Sequence, residues 1–233
     1  MSRSLSILLT ASFLIVGCGD SASTAICPGP QCPCTGASCD CVNASCALDC
    51  MDVPQSPVDV CTLSCSQSSA CDATCNDACQ VDCQLGTSCA VTGTAADMNV
   101  ECLGAECGIE TGRSSNLDCV SNSICTIDAG QNAEIDCETG STCTVVAGPD
   151  GDIDCRSGSA CTVTADADGD VKCIGAECMI TLGAAAVAVC TEEATCTVTC
   201  TGACQMTCDP LSSCTLRCEG DPEASTVVDE ASC

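Results

Sequence analysis

Asp82, Glu101, Asp118, Asp136 and Asp154 follow one another at steps of 17–19 residues, and Glu134, Asp152 and Asp170 do so at steps of 18. A periodic fold of that length stacks each series into a column. Stacked carboxylates offer the oxygen ligands that hard cations such as Ca²⁺ take in large number and loose geometry. Asp166 and Asp168 add two more carboxylates in the stretch DADGD. Without a ligand, the same columns form a solvated acidic face whose repulsion is relieved by splaying and by salt.

Sulfur is the second chemistry. The 233 residues include 33 cysteines. Cys-x-x-x-Cys pairs fall within zinc spacing, as in metallothioneins, which lack aromatics; here Phe13 is the single aromatic residue. Here the chain has five basic residues against 32 acidic ones, so little cationic charge is present to balance thiolates. A secretory leader places the cysteines in an oxidising compartment, and disulfides are the expectation. Enzymatic chemistry is not expected. No His supplies an imidazole base or a Ser-His or Cys-His pair. Arg156 and Lys172 are the basic groups near the carboxylates, and phosphate-cradling or dinucleotide motifs are missing from any strand–helix context. A net charge of −27 repels nucleic acid, and no small-molecule substrate is expected.

The elements that position these groups are repeats. Units begin at Cys41, Cys65, Cys83, Cys102, Cys119, Cys137, Cys155, Cys173, Cys190 and Cys208, each with a second Cys five or six positions on. An insertion, MDVPQSPVDV, separates the first unit from Cys61. Inside a unit polarity alternates with period two. In CTVTA, Cys161, Val163 and Ala165 share one face; in GDVKC, Gly169, Val171 and Cys173 do so. Such alternation marks half-buried strands of about five residues, with Gly/Ser-rich turns such as ETGST between them. An antiparallel meander would leave its apolar face uncovered. A β-solenoid with two strands per turn closes two parallel sheets face to face. The expected fold is therefore all-β: a disulfide-stapled, two-sheet parallel solenoid of about ten 18-residue turns, a rod of roughly 50 Å.

The interior of each turn holds two cysteines, two aliphatics and two small residues, with no aromatic bulk, so cross-links at about 2–4 kcal/mol apiece must contribute. Pairing within each turn gives Cys41–Cys46, Cys65–Cys71, Cys83–Cys89, Cys102–Cys107, Cys119–Cys125, Cys137–Cys143, Cys155–Cys161, Cys173–Cys178, Cys190–Cys196 and Cys208–Cys214. The opposite tip adds Cys50–Cys61, Cys75–Cys79, Cys200–Cys204 and Cys218–Cys233 near the ends, where a turn has one neighbour. Cys27, Cys32, Cys34 and Cys39 make two local pairs. Equivalent cysteines of adjacent turns also lie within bridging distance, so turn-to-turn links stay open.

The N-terminus reads MSRSLSILLTASFLIVGCGDS. Its apolar run, Leu5 to Val16, is too short to span a bilayer and fits a signal-peptide core. Ile15-Val16-Gly17-Cys18 resembles the lipobox of bacterial lipoproteins. That resemblance implies that Cys18 carries the lipid and becomes the first mature residue. It leaves 32 cysteines, an even number. By analogy with the lipoprotein sorting signal, Gly19 rather than Asp directly after the Cys favours the outer membrane or cell surface. The expected layout is signal peptide (1–17), lipid anchor and Cys/Pro/Gly-rich stalk (18–40), solenoid (41–218) and acidic tail (219–233).

Two further resemblances bear on function. Asp166, Asp168, Asp170 and Glu177 match the ligand spacing of an EF-hand calcium loop, but Val171 stands where that loop needs Gly and no helices flank it. The Gly-rich nonapeptides of calcium β-rolls are missing. Thr162-Val163-Thr164 and Thr197-Val198-Thr199 resemble the Thr-x-Thr rows of disulfide-stapled antifreeze solenoids. Asp128, Val146, Met179 and Arg217 interrupt those rows. The favoured expectation is a non-enzymatic envelope lipoprotein acting as a rigid structural or adhesive rod, with a membrane and an extracellular surface as partners. The alternatives are a Ca²⁺-binding surface protein using the carboxylate columns and an ice-binding Thr face. No cofactor is expected unless the columns take up Ca²⁺.

Overall fold

The computed structural model describes residues 23–26, 34–35, 38–50, 60–76, 78–94, 97–221, 223 and 225–233. The chain coils into two facing 12-stranded sheets. A typical turn runs Asp152–Arg156 in one sheet, a short loop, Ala160–Ala165 in the other sheet, a tip, then Asp170–Ile174 back in the first. Successive turns pair in parallel and in register: Cys143 lies beside Cys161 and Cys155 beside Cys173. In the sheet that starts its parallel run at Ser45–Cys50 and ends it at Ser213–Cys218, nine such steps join ten strands.

Strand and core arise from one pattern. In Ala160–Ala165 the odd positions are buried and the even ones exposed. In this strand the alternation admits Cys, a mid-strand aliphatic and a small residue to the interior; Leu182 and Thr111 take the third place in other turns. Facing aliphatics such as Val163 and Val171, or Ile127 and Ile135, are at most 1% exposed. At the tips bulk on one strand is matched by its lack on the other. Met98 is buried against Gly93, where a Cβ would come within 2.7 Å of the Met98 sulfur.

Turns are set by residues that accept left-handed backbone. Ser121 and Asn122 (φ 58° and 64°) and Ser157 and Gly158 (54° and 74°) bend the loops between paired cysteines six apart. Gly104 (63°) does so alone where the spacing is five. The tips stack too. Ser114, Asn132, Asp150 and Asp168 are all left-handed, and each N–H donates to a carbonyl of the next tip at 2.9–3.1 Å.

Both ends are closed by chain reversal. Ser23–Ile26 and Cys34–Thr35, in the segment expected as a stalk, run antiparallel to Ser45–Cys50 and Ser38–Val42. Ser225–Val227 and Asp229–Ser232, in the expected tail, run antiparallel to Ser213–Cys218 and Gln205–Cys208. The parallel ladder itself begins at Ser38, three residues before the expected start. End strands of only two to four residues blunt an edge that would otherwise recruit another chain.

Candidate functional site

The carboxylates sit on the outward positions of one sheet. Its register places Asp82 beside Glu101, Glu101 beside Asp118, Asp118 beside Asp136, Asp136 beside Asp154, and Asp154 beside Lys172. Glu134, Asp152 and Asp170 form the neighbouring column. Asp166 and Asp168 are not in these columns. They lie on a tip, where the Asp166 carboxylate accepts from the Ala167 N–H at 2.8 Å.

The downstream end of the array is neutralised from within. Arg156 Nη1 contacts Glu138 Oε1 at 3.1 Å, while its Nη2 pairs with Asp154 and lies 3.8 Å from Asp136. Lys172 Nζ reaches Asp152 at 2.8 Å and Asp154 at 3.3 Å. The two cations are more than a third exposed, so each contact is worth at most about 1 kcal/mol. Asp154 itself is 9% exposed, and both cations contact it. Hydrogen bonding to Asp152 raises the Lys172 pKa, and hydrogen bonding to Asp154 raises that of Arg156, each against the opposing effect of burial.

Upstream the balance differs. Among the described residues no ion pair reaches Glu101 or Asp118. Partial burial, then Glu101, Glu134 and Glu138, push the Asp118 carboxyl above its ordinary range. Asp136 is also raised, first by burial and then by Asp154, Asp118 and Glu138, with Arg156 pulling the other way.

The opposite sheet carries the threonines. Thr126, Thr144 and Thr162 stand on adjacent strands, Met179 interrupts them, and Thr197 and Thr215 complete the column. Thr164, Thr181 and Thr199 form a second column, preceded by Val146 and ended by Arg217. Thr74 and Thr92 pair further up and are separated from these by Glu110 and Asp128. Met179 is 58% exposed and Val146 48%, so the hydroxyl array is neither continuous nor of uniform height. Its upstream end opens into a shallow trough of about 500 Å³ floored by Ala47, Ala90 and Gly108.

The sulfurs lie between the sheets. Fourteen disulfides join described cysteines, and all lie within a turn or at its tip rather than between equivalent positions of adjacent turns. Ten close the loop end: Cys41–Cys46, Cys65–Cys71, Cys83–Cys89, Cys102–Cys107, Cys119–Cys125, Cys137–Cys143, Cys155–Cys161, Cys173–Cys178, Cys190–Cys196 and Cys208–Cys214. Four close tips: Cys50–Cys61, Cys75–Cys79, Cys200–Cys204 and Cys218–Cys233. Cα separations are 5.5–6.6 Å. Sulfurs of adjacent turns crowd together, as at Cys65, Cys83 and Cys89. Being disulfide-bonded, they are not thiolate ligands.

Three sets of functional side chains escaped sequence reasoning. Glu138 joins the Arg156 cluster from 18 residues upstream, one repeat away, a spacing visible in the sequence. Hydroxyls inside the loops also recur. Thr87 and Ser141 donate to the carbonyls three residues back at 2.7 and 2.6 Å, and Ser123 donates to the Cys102 carbonyl of the preceding turn at 2.7 Å. Ser or Thr takes this place in most loops where paired cysteines are six apart, with Ala194 the departure, whereas Ala44, Ala105 and Ala176 stand there when they are five apart. Asp209 accepts from the N–H groups of Glu192, Leu211 and Ser212; hydrogen bonding to the Ser212 side chain, followed by these backbone bonds, lowers its pKa.

Residues 1–17 and Cys18, Cys27 and Cys32 lie outside the described residues. Among the described residues no helix is long and apolar enough to cross a membrane. Comparison with protein-family models, curated proteins and solved structures returns no match to this chain.

Proposed function

We propose that the chain is a non-enzymatic, lipid-anchored envelope protein, a stiff rod that presents its faces to an extracellular protein or surface for structural or adhesive contact. The observation that carries this reading is covalent closure of every parallel turn by a buried cystine, together with reversal of the chain at both ends. Each cystine restricts the unfolded chain and so resists local opening, the event a protease needs. Disulfides in this density belong to oxidising compartments, which agrees with a bacterial cell envelope, at the outer membrane or cell surface. Ile15-Val16-Gly17-Cys18 supports attachment through lipid on Cys18.

The test is metabolic labelling with a clickable fatty acid in a bacterial host. The full chain is expected to take up label and sediment with membranes, and Cys18→Ser to lose both while its secreted rod stays protease-resistant. An unlabelled, freely soluble full chain overturns the lipid anchor. Native material rich in free thiols overturns the rod.

A second reading, favoured by the unpaired Glu101 and Asp118, is that the upstream carboxylate column holds divalent cations such as Ca²⁺. Like charges on adjacent strands repel, and a bound cation would relieve that repulsion.

A further inference from the structure

Among the cysteines whose side chains are described, sulfur is sealed inside this rod with one exception. Every cysteine whose side chain is described from Cys39 to Cys214 is at most 4% exposed. Cys218 is half-buried and Cys233, the last residue, is exposed. Among the described cystines, Cys218–Cys233 is the one a solvent thiol reaches without opening the fold.

That bond holds the C-terminal cap. Ser225–Val227 pairs with three residues of the last parallel strand of one sheet, and Asp229–Ser232 pairs with four of the other. Val227, 5% exposed, lies over the end of the core beside Cys214. Pairings of three and four residues with one buried side chain do not hold a strand pair by themselves. Closure of the 15-residue loop by the disulfide supplies the missing constraint. The bond also sits directly on the buried Cys200–Cys204 cystine. Cys218 is the strand partner of Cys200, and the Cys233 N–H donates to the Cys204 carbonyl at 3.2 Å.

We propose that Cys218–Cys233 is a thiol-exchange site whose reduction by an external, uncharged dithiol releases the cap. The thiolate of the dithiol attacks Sγ of Cys233. The Cys218–Cys233 bond breaks, and its electron pair leaves on Sγ of Cys218, which takes a proton. The second thiol of the reagent then loses its proton and attacks the reagent's own sulfur in the mixed disulfide. Cys233 leaves as a thiolate and is protonated, and the reagent departs as a cyclic disulfide. Two electrons and two protons have passed to the protein. Glu219, beside Cys218, and Glu230, three residues before Cys233, disfavour anionic thiols. The reagent meets Cys218–Cys233 first because Cys200 and Cys204 are at most 3% exposed while the cap is in place.

Release uncovers the edges of Gln205–Cys208 and Ser213–Cys218 and the apolar end of the core. The test is graded reduction of the native full chain with dithiothreitol, followed by alkylation, peptic mapping and hydrogen exchange. Cys218 and Cys233 are expected to be alkylated on the order of tenfold faster than any other described pair. Amides of 225–232 should lose protection at that stage, while those of 102–200 keep it. Parallel reduction of the buried pairs overturns the proposal, as does a cap that stays protected after both cysteines are alkylated. The double variant Cys218→Ser, Cys233→Ser gives an independent reading. Its cap should exchange without any dithiol, and a protected cap there overturns the latch.

Discussion

Replacing Gly130 by alanine tests whether the tips stack at backbone contact, as a stiff rod requires. A Cβ on Gly130 would come within 2.7 Å of the Gly112 carbonyl oxygen, 2.8 Å of its carbon and 3.1 Å of the Arg113 nitrogen. All three are backbone atoms of the preceding tip, so no flexible side-chain end can swing aside. Gly130 also donates to the Thr111 and Gly112 carbonyls at 3.1 Å. Overpacking of this kind costs about 1–3 kcal/mol, and a displaced hydrogen bond about 1 kcal/mol more. Gly108 is the matched control. It lies on the outward face of Glu106–Thr111 with nothing within 4 Å of a built Cβ. Alanine there restricts the unfolded chain and should be neutral or stabilising by about 0.4–1 kcal/mol. The two variants should therefore differ by roughly 2–4 kcal/mol with opposite signs. Guanidinium unfolding followed by far-ultraviolet circular dichroism, with disulfides intact, reads this as a shift in midpoint at constant slope. Midpoints within about 0.5 kcal/mol of each other would refute close stacking of the tips.

The raised Asp118 and Asp136 carboxyls make a pH prediction with an unusual sign. A carboxyl whose folded pKa lies above its unfolded value binds protons more readily when folded, so it contributes stability as pH falls through the folded pKa toward the ordinary value and opposes folding above it. Thermal stability should thus rise, not fall, from neutral pH toward about 4. Asp118→Asn should gain about 0.5–1 kcal/mol at pH 7 after allowance for solvent screening and lose part of the slope; an unchanged slope refutes the assignment. For the cation reading, calcium titration of the lipid-free chain should give saturable heat and a raised melting temperature at millimolar calcium, both weakened by Glu101→Gln. No heat and no shift remove that reading and leave the acidic face as a solubilising surface.

Much of the fold was legible because the repeat writes each contact many times over. Val163 and Ile153 declare inward positions through alternation with Thr162 and Asp154, and a step of 18 residues brings Asp136 beside Asp154. The end strands were not legible. Ser225–Val227 and Asp229–Ser232 lack the repeat's cysteine spacing, and their pairing is antiparallel, decided by where the chain can turn back after its last parallel strand. The ion pairs of the downstream acids were not legible for a related reason. Lys172 was visible in the column, but which carboxylates Arg156 and Lys172 hold depends on side-chain reach across strands.

The sequence alone determined the period, the inward and outward faces, and reliance on sulfur where no aromatic bulk is available, because these follow from residue type and spacing along the chain. The tertiary structure decided which cysteines meet, how deeply each carboxylate is buried, and that one cystine at the C-terminal end stands open to solvent. Those properties depend on distances between turns and on burial, which arise only when the turns stack and the ends close.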